Sequence, residues 1–339
     1  MNNLVLRLDE GSPVRLSAEA SWMVEAGVPS GTRRAYAAGR EDWRAFCDDR
    51  GEQQMPVDPR VLVEYVAQLL STGSAGRGTQ ARPLHPTTVE GRLSAITTWS
   101  RECGYGTPDL RAARLALRGH RREVASGTSQ AAPLTVAALR TLLAAARDTA
   151  DGPDSSRALR DGALVRLGFA LGARRSELVR VCIEHVRIES DGLIVQVHRA
   201  KTRDLPDEVA VPWAADEELC AGRAVLRLRT RLARDGFRTG PLFRQVRRGD
   251  HMQPQGLAPQ AVADILQRLA EEAGLPIPDG FRGWSGHSLR RGFATEARRA
   301  GADALRIARH GGWADNSAAL ATYLVDVDQW HNHPLAGVL

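Results

Sequence analysis

The stretch HSLRRGFATEARRAGADALRIARHGGWADNSAALATY, His287 to Tyr323, decides how the rest of the chain is read. Leu289, Phe293 and Ala297 recur at helical spacing, and His287 and Arg290, three apart, fall on one side of that helix. Two groups able to bind an anion are thereby set side by side. A Gly311-Gly312 break follows the next helical run, Trp313 comes directly after it, and Tyr323 stands ten residues further on. The other tyrosines, Tyr36, Tyr65 and Tyr105, all lie in the first 105 residues, so a phenol is not a recurrent filler in this half of the chain. Cations beside a phenol favour its ionised form, which alone in water needs a pH of about 10, and they can hold a phosphate in line for attack. The same residues also suit a plain packing role, a core His-Arg pair beside a buried tyrosine.

Upstream, GARRSELVRV (Gly172 to Val181) ends one helix and begins another. Arg174 precedes Glu177 by three residues, so the carboxylate can brace the guanidinium from behind and leave its outer edge for a phosphate oxygen. The competing reading is an ordinary surface ion pair. Lys201 sits in the turn between two predicted strands and is the single lysine among 46 lysines plus arginines. An alkoxide leaving group needs a proton; a lysine of pKa about 10.4 can be tuned to give one, whereas an arginine above about 12 cannot. Chance survival of one codon in an arginine-biased sequence is the alternative.

The periodicity over the whole chain predicts a mainly α protein in two domains. In residues 1–123 helices are expected at Ala18 to Ala26, Ser30 to Asp49 with Ser30 and Thr32 as caps, Pro59 to Leu70, Pro86 to Cys103, and Pro108 to His120. This is an all-helical domain. The last of these helices carries Arg111, Arg114, Arg118 and Arg122 as a basic stripe opposite Leu110, Leu115 and Leu117; such a stripe can lie along a phosphate backbone or simply face water. Arg33, Arg34 and Arg92 are candidates to extend it. Residues 124–133, small and polar, read as a linker.

Residues 134–339 are predicted to hold helices from the cap Thr135 to about Ala150 and over Ser156 to Leu171, Ala215 to Arg234, Ala258 to Ala273, Ser288 to Ala300 and Ala302 to His310. Three short strands, Glu184 to Glu189, Leu193 to His198 and Glu208 to Val211, form one small antiparallel sheet. A tail helix over 326–339, with Trp330, Leu335 and Leu339 apolar, is expected to dock on a neighbouring copy.

With 43% hydrophobic and 25% charged residues the composition is that of a soluble globular chain, and no apolar run or leader pattern points to a membrane or to export, so a cytoplasmic location is expected. Cys47, Cys103, Cys182 and Cys220 are scattered without metal-ligand or disulfide spacing, and no carboxylate or histidine cluster implies a metal or other cofactor. A formal charge of +6 favours a polyanionic partner, most simply double-stranded DNA.

GARRSEL, a lysine in a strand-to-strand turn, WSGHSLRRG, GGW and a following tyrosine, in this order, resemble the tyrosine recombinase (phage integrase) family, and the second half is similar to its Cre-like members. The resemblance implies a helical, SAM-like core-binding domain joined to a catalytic domain. It implies that Arg174 and Arg290 clamp the scissile phosphate, that His287 and Trp313 hydrogen-bond it, that Lys201 is the general acid and Tyr323 the nucleophile, with Glu177 behind them. It also implies a 3′-phosphotyrosine intermediate and a homotetramer on paired sites. Many members carry histidine where Trp313 stands and reach the tyrosine nine residues later rather than ten. A strand-relaxing topoisomerase of type IB and a silent DNA-binding regulator are the alternatives.

Overall fold

The computed structural model describes residues 5–6, 14–15, 17–74, 82–123, 130–148, 152–199 and 205–331. The chain divides into two compact units, Met1–Gly127 and Thr128–Leu339.

The first unit begins with a short antiparallel ladder, β1 (Val5–Leu6) and β2 (Val14–Arg15), followed by α1 (Ala18–Ala26), α2 (Ser30–Arg50), α3 (Pro59–Ser71), α4 (Pro86–Glu102) and α5 (Arg111–Glu123). Each start has a local cause. Asp58 accepts the Arg60 N–H with Pro59 in the first turn of α3, and the His85 ring accepts the Thr87 N–H with Pro86 in the first turn of α4. The expected caps of α2 are corrected: Pro29, extended at ψ 138°, is the capping residue, so Ser30 and Thr32 lie inside the helix. Trp43, Phe46 and Tyr65 meet edge-on or stacked at 5.0–5.9 Å in the core.

Arg92 is turned towards Asp42, 3.6 Å away, which also accepts the Tyr65 hydroxyl at 2.7 Å. It faces a carboxylate withdrawn from water. Helix α5 begins at Arg111 because the Asp109 carboxylate caps it, accepting the Arg111 N–H at 2.9 Å and pairing with its guanidinium at 2.6 Å. Arg114 is paired with Glu90 at 3.1 Å. Leu110, Ala113 and Leu117 form the buried side, and Leu115, expected there, is 63% exposed. Arg33, Arg34, Arg118 and Arg122 are exposed.

The second unit is built around α7 (Ser156–Leu171), preceded by α6 (Val136–Arg147). Thr135 and Ser155 cap these helices through their side-chain oxygens. Ala163, Leu164, Val165, Leu167 and Leu171 are wholly buried, so α7 runs through the core rather than over it. A short α8 (Arg175–Leu178) follows, then β3 (Val186–Glu189), β4 (Gly192–Val197) and β5 (Asp207–Pro212) in an antiparallel sheet of that order, with Val195 opposite Val186 and Val209. The first strand starts later than expected because Ile183–His185 forms a 3-10 turn, in which the His185 ring accepts the Cys182 N–H.

Helix α9 (Ala221–Arg234) also starts late; the Asp216 carboxylate accepts the Glu218 N–H and holds the chain in a turn ahead of it. A second hairpin, β6 (Arg244–Arg247) and β7 (His251–Gly256), was not expected, since HMQPQG contains a proline and no apolar alternation. Then come α10 (Pro259–Glu272), α11 (Gly286–Arg299), α12 (Ala304–Gly311) and α13 (Ala318–His331). Helix α13 carries Tyr323 and is described as far as His331, so most of the expected tail helix over 326–339 lies outside the described residues. The Trp330 side chain, Leu335 and Leu339 lie outside the described residues. No described helix is long and apolar enough to cross a membrane.

Candidate active site

Four separated pieces of sequence converge at the end of α7. That helix stops at Gly172, whose φ of +55° closes its last turn, and an added Cβ there would strike the Phe293 ring at 2.5 Å. The freed Gly172 carbonyl accepts a hydrogen bond of 2.6 Å from Nη1 of Arg290 on α11, and the same Nη1 donates to the Gly311 carbonyl at 2.5 Å. The Arg290 guanidinium lies 3.4 Å from the centre of the Trp313 ring. It is 3% exposed, and its Nη2 has no hydrogen-bond partner among the described residues. Burial, with Arg174 adding to it and Glu177 partly opposing, brings the Arg290 pKa down to about 9, so the group stays cationic at neutral pH.

Arg174 precedes α8. Glu177, 4% exposed, accepts the Arg174 backbone N–H through Oε2 at 2.9 Å and its Nη1 through Oε1 at 2.5 Å. This is the bracing expected from their spacing, and the buried carboxylate makes it more than a surface ion pair. His287 stands in the first turn of α11, accessible, with its backbone N–H donating to Ser285 Oγ at 3.2 Å. Partial withdrawal of the ring from water, then the cations Arg175, Arg282, Arg290 and Arg174, pull its pKa below the ordinary imidazole value, which keeps the ring neutral near pH 7.

The Gly311-Gly312 break ends α12 and turns Trp313 back under Arg290. Gly312 takes φ +67° as the cap, and the Trp313 ring lies where a Cβ on Gly311 would be, 1.9 Å from it. From Trp313 the chain makes a short turn, and Ser317 Oγ accepts the Leu320 N–H at the start of α13. The ten-residue interval thereby brings the Tyr323 ring edge-on to Trp313 at 6.2 Å between centroids. Tyr323 is half-buried on a small core of Ala294, Ile307, Ala308, Leu320 and Leu324. His310, three residues before Trp313, is tied into the fold: its Nε2 is 2.8 Å from the Ala170 carbonyl and its ring stacks on Phe293.

Lys201 belongs by sequence to the connection from β4 to β5 and lies outside the described residues. Arg174, Glu177, Arg290, Trp313 and Tyr323 are brought together, with His287 beside them. Three further arginines escaped the sequence reading. Arg175 adjoins Arg174 and acts on His287; Arg291 is 5% exposed with its guanidinium 5.4 Å from the Tyr323 ring centre. Arg199 is 2% exposed at the outgoing end of β4. Strand parity gave a signal for Arg199, since it continues the inward series Leu193, Val195 and Val197.

A deeply seated arginine is thus flanked by a braced second arginine, a neutral histidine, an indole and a phenol. The chain belongs to the phage integrase family, the tyrosine recombinases, whose sequence profile matches residues 133–329. It is 31% identical to an integrase/recombinase XerD homolog of Selenomonas ruminantium over 87% of this chain and 82% of that one. It is 25% identical to recombinase Cre of Escherichia phage P1 over 84% and 81% of the two chains. In fold it is similar to the Tn1549 transposon integrase, with TM-score 0.56 and 16% identity over 90% of this chain and 91% of that chain. It is likewise similar to the XerH site-specific recombinase, with TM-score 0.53 and 14% identity over 84% and 72%.

Proposed function

We propose that this protein is a site-specific DNA recombinase that cuts and rejoins strands through a 3′-phosphotyrosine on Tyr323. The observation that carries the reading is Arg290: a buried cation fixed by two carbonyls, with one nitrogen left unpartnered among the described residues, stacked on an indole that touches the Tyr323 ring. The unpartnered nitrogen suits a non-bridging phosphate oxygen, whose binding would relieve the cost of burying it.

In this reading Arg290 and Arg174 bind the non-bridging oxygens, and the Trp313 indole N–H donates to one of them. The Tyr323 oxygen attacks phosphorus while the bond to the 5′ oxygen breaks. The phenolic proton leaves with the help of the neutral His287 ring, and Lys201 gives its proton to the departing 5′ oxygen. Preplaced cations act on the charge of the transition state, each charge-assisted hydrogen bond contributing about 1.5–3 kcal/mol. The phosphotyrosyl bond retains the energy of the diester, so no nucleotide is needed for resealing.

Double-stranded DNA as partner is supported by the fold neighbours, XerH having been solved on difH DNA and the Tn1549 integrase on transposon right-end DNA. We assign the first unit to DNA binding, with Arg33, Arg34, Arg118 and Arg122 as exposed candidates, and a homotetramer on two sites, joined through the C-terminal tail, to the full reaction. The test is trapping. Incubated with DNA carrying its site, the protein becomes attached to a 3′ end, and Tyr323→Phe binds the DNA but does not attach. Attachment that persists in Tyr323→Phe refutes the assignment.

A further inference from the structure

Arg199 is 2% exposed, yet it grips the turn that leads into Trp313. Strand alternation carries its side chain into the core, and three contacts fix it there. Nη2 donates to the His310 carbonyl at 2.6 Å, Nε lies 3.1 Å from Oδ2 of Asp207 at the start of β5, and the guanidinium presses on Gly312, where a Cβ would fall 1.6 Å from Nη1. The His310 carbonyl belongs to the last turn of α12, where carbonyls lack helical partners and a cation is favoured. Arg290 holds the next carbonyl, that of Gly311, while lying on the Trp313 ring. Two guanidinium groups therefore grip consecutive carbonyls of one turn. Arg290 is the member next to the phosphate site, and Arg199 is its buried counterpart. Burial depresses the Arg199 pKa, Glu177 and Asp207 oppose that, and Arg174 adds to it, which ties Arg199 to the same charge cluster.

We propose that Arg199 is a positioning residue for strand cleavage, fixing the 310–312 turn so that the Trp313 indole is held against the scissile phosphate. The proposal rests on the reading that Tyr323 attacks a phosphate contacted by Trp313. A buried arginine that only filled the core would affect stability but not the contribution of one indole. Gly312 has to be glycine partly for this reason, since any side chain there would displace the Arg199 guanidinium.

The experiment is a double-mutant cycle on single-turnover covalent-complex formation at saturating DNA, with wild type, Arg199→Lys, Trp313→Phe and the double variant. Arg199→Lys keeps the buried charge and loses the forked geometry, so it is expected to fold and to bind DNA normally. It should cleave about 10–100-fold more slowly, the cost of an ångström-scale misplacement. Trp313→Phe should lose about 100-fold as a missing transition-state donor does. With Phe already at position 313, adding Arg199→Lys should cost less than about threefold, because both changes remove the same interaction. Gly312→Ala, which presses on the guanidinium from the turn side, should behave as Arg199→Lys does in the same cycle. Losses that multiply in the double variants, or a wild-type rate in Arg199→Lys, overturn the role of Arg199 while leaving the cleavage reading intact. Absence of any covalent complex with the wild-type protein overturns the cleavage reading, and this role with it.

Discussion

Replacing Glu177 by glutamine tests the bracing of Arg174 at nearly constant volume. The carboxylate accepts two hydrogen bonds from Arg174, one from the backbone and one from the guanidinium, in a position that is 4% exposed. Glutamine offers one oxygen and one NH2, so one Arg174 donor must face another donor. Losing a charge-assisted hydrogen bond costs about 1.5–3 kcal/mol, and breaking a wholly buried pair about 3–5 kcal/mol. The Arg174 side chain retains 34% exposure, so water can take up part of the deficit and the lower range applies, about 1.5–3 kcal/mol. At about 2–4 °C per kcal/mol for a domain of this size, the melting midpoint at neutral pH should fall by about 3–12 °C. The guanidinium, no longer aimed, should also slow covalent-complex formation by about 10–100-fold with DNA binding little changed. Glu177→Asp, which keeps the charge on a shorter arm, should fall between the two. Calorimetry decides the first part: a midpoint in Glu177→Gln within about 1 °C of wild type would show that Glu177 does not hold Arg174.

In the first unit, Arg118→Ala and Arg122→Ala should each lower the slope of log K against log salt by about 0.9, whereas Arg111→Ala and Arg114→Ala, already paired with Asp109 and Glu90, should change it less. Equal changes at all four positions would mean that those ion pairs open on DNA. Lys201→Arg should slow cleavage by about 10²–10⁴, as loss of a general acid does, and recover towards the wild-type rate on DNA whose 5′ bridging oxygen is sulfur. Equal defects on both substrates would leave Lys201 as an electrostatic contact. Burial holds the His310 pKa below its ordinary 6.5, with Arg199 adding to the effect and the Ala170 carbonyl partly opposing it. Below about pH 6.5 the unfolded chain therefore binds the extra proton more readily, so this contribution to stability is complete above that pH and lost as pH falls. The melting midpoint should drop from about pH 7 to about pH 5, less steeply in His310→Gln, His287 contributing in the same direction. A midpoint that stays flat over that range in the wild-type protein would contradict the assignment.

What could be read from the sequence was whatever depends on neighbours along the chain. Helix α7 was legible from end to end because the Ser155 cap, an apolar run and the Gly172 stop are all local, and the bracing of Arg174 by Glu177 followed from a three-residue spacing. The three-stranded sheet was legible for the same reason, its strands being short stretches rich in β-branched residues with a Ser-Asp-Gly turn between the first two. The order of GARRSEL, SGHSLRRG, GGW and tyrosine was enough to identify the family. The sequence could count arginines but could not assign their partners. Glu90 lies 24 residues from Arg114, and Asp42 is on another helix from Arg92, so which cations remain open to an anion was decided by packing. Tertiary structure alone buried Arg290 against the carbonyls of Gly172 and Gly311, 118 and 21 residues away, and pressed Arg199 onto Gly312. Both are long-range contacts made by flexible side chains whose charge becomes tolerable only when particular backbone carbonyls arrive beside them, and no periodicity along the chain encodes which carbonyls those are.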